Sequence, residues 1–333
     1  MILILTTEAG DFSHPKFIDW LDYYKADYEI LTGEGIYKGK TSLIIEDNQL
    51  FINGRNYTTD VNVVFNRRWL TASELPTITT DSLLNQGIKN TLSAELYELR
   101  NFLNCNLKNA LWIPNIQNLN VNKISILQKA NELGIRSPKY IITNRKDDVL
   151  KFFKTHKTII TKAIGNFPKN YMQNNFLVNP IYTKVISQDL IDKLPETFFM
   201  SIFQEYIPKY KEYRVLYFEG ACFSVEIGTQ ENDFSIIDSR AKEDPKNEVR
   251  IQKAKLPKFF EKQIDILMNN IGLNIGSIDV IENEKNEFFF LEVNHVGQIS
   301  GYSLRGNLDF EKNIVKKMIC IDHEIERQKQ SVY

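Results

Sequence analysis

The sequence predicts a mixed α/β (α+β) protein built of more than one compact unit, and three observations predict it. The first third alternates strand-like with helix-like segments, whereas long β runs dominate from Phe198 onward. The 333 residues exceed what a single domain of about 100–200 residues needs. Hydrophobic residues make up 43% and charged residues 25%, enough to fill several cores and unlike a disordered or fibrous chain.

Taken in order, residues 1–6 read as a buried first strand, followed by a helix over about 14–26 and a strand from Tyr28 to Leu31. A hairpin from Ser42 to Tyr57 and a strand from Val61 to Asn66 come next. Ile88, Leu92, Leu96, Leu99 and Leu103 recur at helical spacing and predict a long helix. Trp112 to Asn115 breaks that pattern and closes a first α/β unit, 1–115. A second unit, 116–197, opens with a helix from about Lys123 to Leu133 that Gly134 ends. It continues with a strand from Lys139 to Thr143, a helix near Asp147 to His156 and a strand from Thr158 to Ala163. Gly165 to Asn179, rich in Asn and Lys, reads as a loop without core-forming periodicity. The third unit, 198–333, holds β runs at 198–206, 211–218 and 221–228, a helix near 257–271, a hairpin over 276–294 and a terminal amphipathic helix from about 310.

Several function classes fall away. A formal net charge of −1 offers no global attraction to nucleic acid or to a membrane surface. The apolar start has neither a basic flank nor the length of a signal segment or membrane span. Cys105, Cys222 and Cys320 are widely spaced and form no CxxC, which argues against a disulfide framework or a zinc site and fits the cytoplasm. Gly33 to Thr41 superficially resembles a phosphate loop, but Glu34 and Lys38 stand where glycines are needed, and it reads as a plain loop leading into a hairpin with no helix N-terminus for phosphate. The four histidines show no metal-ligand spacing.

The strongest chemical signal is the hairpin itself. Symmetry about residues 285 and 286 sets Asp279 opposite Glu292, and the strand period puts Asn294 on the face of Glu292. Facing carboxylates repel and need a cation, and hard oxygen donors of this kind suit magnesium. Lys162 ends an apolar strand, and Lys123 opens a helix where the dipole disfavours a cation unless an anion is near. Gln204, Glu205, Tyr206 and Ile207 lie in an extended connector, stopped by Pro208, that can offer backbone groups to a purine edge. Glu212 with Arg214, and Asp238 with Arg240, share strand faces and read either as anion clamps or as cross-strand salt bridges. Gly297 and Gln298 begin a loop that could approach a ligand, and Arg67 and Arg68 could face a peptide or another domain.

The order of these features resembles the ATP-grasp superfamily over about 120 to 300. Over the full length it is similar to the graspetide (microviridin-type) peptide ligases: Ile4 to Thr7 with Asp11, Phe65 to Trp69, Asp238-x-Arg240 followed by Lys255 to Pro257, and Leu291 to Asn294 with Gly297 and Gln298. The resemblance implies an N-terminal pre-ATP-grasp domain, a central lid and a C-terminal domain for ATP and Mg2+. It implies that Lys123 and Lys162 hold ATP phosphates, that Glu205 and Ile207 meet adenine through the backbone, and that Glu212 lies near the ribose or the acceptor. Asp279, Glu292 and Asn294 would hold magnesium, Arg214 and Arg240 would bind the transferred phosphate and a substrate carboxylate, and Asp238 would steer or deprotonate the attacking group. Two positions depart from the pattern: His295 replaces a frequent proline, and Ser239 a frequent aromatic. The implied reaction activates Asp or Glu side chains of a ribosomal precursor peptide as acyl phosphates and joins them to Thr or Ser hydroxyls or Lys amines, in a homodimeric enzyme. A glutamate ligase acting on a protein tail and a non-catalytic ATP-binding regulator are the competing readings.

Overall fold

The structure is a computed structural model and describes residues 1–8, 14–69, 75–115, 122–165, 171–173, 176–178, 183–228, 249–295 and 299–331. Asp11, Asp238, Ser239, Arg240, Gly297 and Gln298 lie outside the described residues.

The first sheet is parallel, in the order Tyr28–Thr32, Ile2–Thr6, Val63–Asn66, Leu111–Ile113. Parallel strands must be covered on both faces, and the unbroken run Ile2 to Leu5 is buried throughout. Ile2, Ile4, Val63 and Phe65 share a core with Phe17 and Leu21 of the helix His14–Tyr23 and with Ile314, Val315 and Met318 of Phe310–Gln330. Leu3, Leu5 and Val64 share another with Leu50 and Ile52 of the small sheet and Leu103 of the helix Ser82–Asn106.

Three expectations for this unit need correction. Trp112 and Ile113 belong to the edge strand Leu111–Ile113, which the helix Ser82–Asn106 delivers beside Val63–Asn66. The 42–57 hairpin gains a third short strand, Arg55–Asn56, paired with Gln49–Ile52. Gly33–Tyr37 is a short helix capped by Thr32, not a plain loop. Glu34, in its first turn, accepts from the Thr7 hydroxyl at 2.6 Å and the Glu8 amide at 2.9 Å, so the chain brings its own anion to this turn.

The second sheet is antiparallel, in the order Lys184–Ile186, Ile159–Lys162, Thr197–Glu205, Tyr140–Arg145. Thr197–Glu205 is thus a central strand of the second sheet. The segment taken as a structureless loop contains a small hairpin, Tyr171–Gln173 against Phe176–Val178.

The third sheet has five antiparallel strands, in the order Ile251–Ala254, Ala221–Ile227, Lys211–Phe218, Ile275–Glu282, Phe288–Asn294. Alternation along Lys211–Phe218 divides its work. Tyr213, Val215 and Tyr217 pack with Phe260, Ile264 and Leu267 of the helix Lys258–Asn270, whereas Leu216 and Phe218 join the core shared with the first sheet. Glu212 and Arg214 continue that second face beyond the apolar pair. Where a loop was expected after Gly297, a helix forms over Ile299–Arg305, held by Ser303 donating to Glu311 at 2.5 Å and Arg305 donating to the Val249 carbonyl. Among the described residues no helix is long and apolar enough to cross a membrane.

The chain leaves that helix through Gly306 because nothing larger fits: a Cβ there would overlap Val225 Cγ1 and lie 3.0 Å from the Tyr302 carbonyl. Gly306→Ala is expected to destabilise the protein by about 1–3 kcal/mol in urea unfolding. Adding Val225→Ala should recover part of that loss, since the deleted methyls make room for the new one.

Candidate active site

Register assembles the site. Arg214 is the cross-strand partner of Asp279, and Asp279 of Glu292, so the three stand in one row over adjacent strands. Asp279 opposite Glu292 is the pairing expected from hairpin symmetry, but a bulge at Leu291 produces it. The turn-side strand pairs Val280 with Phe290, so strict alternation from Phe288 and Phe290 would carry Glu292 into the core. The extra residue resets the phase: Val293 returns to the core, while Glu292 and Asn294 remain half-buried on the cleft side.

The carboxylates are not left facing one another alone. Arg214 Nε lies 2.6 Å from Asp279 Oδ1, a charge contact that is not aligned as a hydrogen bond, and Nη1 donates to Ser277 Oγ at 3.4 Å. Lys123 Nζ donates to Glu292 Oε2 at 3.3 Å, and Lys162 Nζ stands 3.9 Å from the same oxygen. Asn294 Nδ2 donates to Glu292 Oε1 at 3.2 Å, which leaves its amide oxygen for another partner. Burial pushes the Glu292 pKa up, but the charges of Lys162 and Lys123 and the Asn294 bond outweigh it and hold the carboxyl below the usual glutamate range. Protein cations thus stand against both carboxylates: Arg214 at Asp279, and Lys123 and Lys162 at Glu292. Glu292 is also the anion that the helix start at Lys123 called for.

Beside this row, a small cleft between the second sheet and the five-stranded sheet is lined by Lys162, Gln204, Glu205, Tyr206, Ile207, Ile281 and Leu291. The amides of Glu205 and Tyr206 donate to the carbonyls of Lys139 and Thr158, at 2.8 and 3.2 Å. Ile207, next in the connector, lines the same cleft. Gln204, only 2% exposed, is buried between Tyr140 and Ile160 of the neighbouring strands. A larger concavity, about 1330 Å³, surrounds Met1, Asp60 and Asp322 at the amino-terminal edge of the first sheet and contains none of these residues.

Two residues beside the site were missed by the sequence reading. Lys209 also lines the cleft and pairs with Glu212 at 2.6 Å, with side chains 5% and 12% exposed. Opposite charges three apart, just after Pro208, were the available signal. Tyr302 places its ring 4.8 Å from Arg214 Cζ, and nothing in its sequence surroundings pointed there. Burial holds the His295 imidazole pKa down, so His295 adds no charge at neutral pH. Arg67 is buried at the end of its strand, its amide donating to the Leu5 carbonyl, and Arg68 adopts a left-handed φ of 62°. Among the described residues no cluster of three His, Cys, Asp or Glu side chains could hold a metal; the row here offers two carboxylates and an amide.

A carboxyl whose pKa is lowered by folding stabilises the native state above its unfolded pKa, and that stabilisation disappears as pH falls through the folded value. Glu292→Gln should therefore lose most stability relative to wild type at neutral pH. The gap should narrow as pH falls below the usual glutamate range, as read from urea midpoints at a series of pH values.

No family model matches the sequence, and no curated protein does. Among solved structures the chain is similar to macrocyclase MdnC from Microcystis aeruginosa MRC, bound with precursor peptide MdnA: 21% identity, TM-score 0.77, over 96% of this chain and 99% of that one. It is similar to a Chryseobacterium gregarium RiPP-associated ATP-grasp ligase in complex with ADP and a leader and core peptide, at 21% identity and TM-score 0.77, over 97% of this chain and 96% of that one. ATP-grasp ligase PsnB, complexed with minimal precursor, Mg and ADP, superposes with TM-score 0.74 at 15% identity, over 96% and 97% of the two chains. Likeness over nearly the whole length, with the sheets as described, gives this chain the ATP-grasp fold in the arrangement that these macrocyclase and RiPP-associated ligases share.

Proposed function

We propose that the protein is an ATP-dependent peptide ligase that activates Asp or Glu side chains of a ribosomal precursor peptide and joins them to Thr or Ser hydroxyls, or to Lys amines, closing ω-ester or ω-amide rings. The observation that carries the reading is the convergence of Lys123 and Lys162, from separate elements, on Glu292 beside the Arg214–Asp279 pair. Cations and carboxylates brought together at the mouth of a cleft are what a nucleotide triphosphate with its metal requires. The precursor peptides bound to the similar ligases support the substrate class.

In this reading Lys123 and Lys162 bind phosphate oxygens, and the Gln204–Ile207 connector holds the base through its backbone. Asp279, Glu292 and Asn294 fit a hard divalent cation, because they bring two carboxylates and the Asn294 amide oxygen together, with the Glu292 carboxyl held below the usual glutamate range by its lysine neighbours. Mg2+ bound there supplies charge neutralisation at the phosphates. Arg214 steadies the transferred phosphate, Arg240 binds the substrate carboxylate and Asp238 orients or deprotonates the attacking group. Glu212, held by Lys209, lies toward the ribose or the acceptor. The homodimer implied by the resemblance, and work in the cytoplasm, belong to the same proposal.

The test is mass spectrometry of a co-encoded peptide rich in Thr and Glu or Asp, incubated with the protein, ATP and Mg2+. Loss of one water per cross-link with matching ADP release is expected, and an unchanged mass with the true precursor sinks the proposal. A gain in mass identifies a ligase that appends amino acids instead. Asp279→Asn combined with Glu292→Gln should slow turnover by about a hundredfold or more. Full biological activity of that variant, with no ADP release by wild type, would identify a binding-only regulator.

A further inference from the structure

We propose that Tyr302 is a positioning residue for Arg214, its ring fixing the guanidinium against Asp279; the inference rests on the ligase reading above. Arg214 is only 8% exposed and is held on distinct sides. Asp279 contacts its Nε at 2.6 Å, Ser277 accepts from Nη1 at 3.4 Å, and the Tyr302 ring lies 4.8 Å from Cζ. The ion pair fixes one edge of the guanidinium, and the ring adds a contact at the central carbon that the polar partners do not make. A flat cation stacks on an aromatic face with an attraction that grows as water is excluded, and this site is largely buried.

The platform is itself anchored. Tyr302 sits on the helix Ile299–Arg305, whose next residue, Ser303, donates to the buried Glu311 and accepts from the Phe310 amide at 3.3 Å. Arg305, three residues on, donates to the Val249 carbonyl. The tight turn at Gly306 presses this helix onto Val225, the other cross-strand partner of Arg214. Burial, foremost, raises the phenol pKa, so Tyr302 stays protonated and acts as a neutral ring. A residue placed this way orients an arginine without touching substrate.

The experiment titrates the full chain with a non-hydrolysable ATP analogue in Mg2+ by calorimetry. Tyr302→Leu should weaken binding about three- to tenfold, the range of a partly desolvated cation–ring contact. Tyr302→Phe, which keeps the ring and loses the hydroxyl, should restore affinity to within about twofold. In an Arg214→Met background Tyr302→Leu should add no further loss, because the ring then has no cation to hold. If the leucine variant does not fold, Tyr302→Met takes its place. Wild-type affinity in the leucine variant, equal losses in the phenylalanine and leucine variants, or additive losses in the double variant would each overturn the inference while leaving the ligase reading intact. Failure of the wild type to bind the analogue removes the ligase reading, and this inference with it.

Discussion

The charged group beside the cleft is built on the row Arg214, Asp279, Glu292, three residues locked opposite one another by the hydrogen-bonded register of neighbouring strands. Register in a half-buried sheet cannot slip by one residue without turning every side chain over, so the row is as secure as the core behind it. That core is extensive: Ile278, Val280, Phe290 and Val293 from the same strands pack with Phe260 and Leu267. The chemistry is therefore a by-product of apolar packing on the reverse face. Lys123 and Lys162 then reach the row from a helix and from the second sheet.

What could be read in the sequence follows from how local each feature is. The 276–294 hairpin was legible because two apolar runs and a polar turn determine their own pairing. Its bulge was not, since one extra residue leaves no mark on composition; the turn-side pairs centre on 285, and the expected centre between 285 and 286 meets Asp279 with Glu292 only because the bulge adds that residue. Lys123 was flagged by a local anomaly, a cation at a helix start, yet its partner lies 169 residues away and no local rule could supply it. Lys209 drew no reading from the sequence, because only the fold buries it against Glu212. Leu111–Ile113 was masked by Pro114, and the strands Tyr171–Gln173 and Phe176–Val178 by their three-residue length within a stretch rich in Asn and Lys.

The strand Lys211–Phe218 also explains why the site and the first unit are mechanically one. On a single face it carries Glu212 and Arg214 at one end and Leu216 and Phe218 at the other, and the latter pair is embedded with Ile2, Ile4 and Phe65 of the parallel sheet. The helix Ile299–Arg305 closes the same junction, with Ile299 in that core and Tyr302 at the arginine. Strain introduced in the first sheet has a short path to the guanidinium.

The pairing of cations with carboxylates has a consequence for what the cleft can accept. An anion arriving alone draws a lysine from Glu292 and leaves a carboxylate bare in a poorly hydrated place; a metal ion arriving alone leaves the ammonium groups facing one another. A visitor carrying both signs can trade partners two at a time, so that every charge changes company and none is stranded. The resting ion pairs thus act as a lock that opens to a neutralising couple and resists either half.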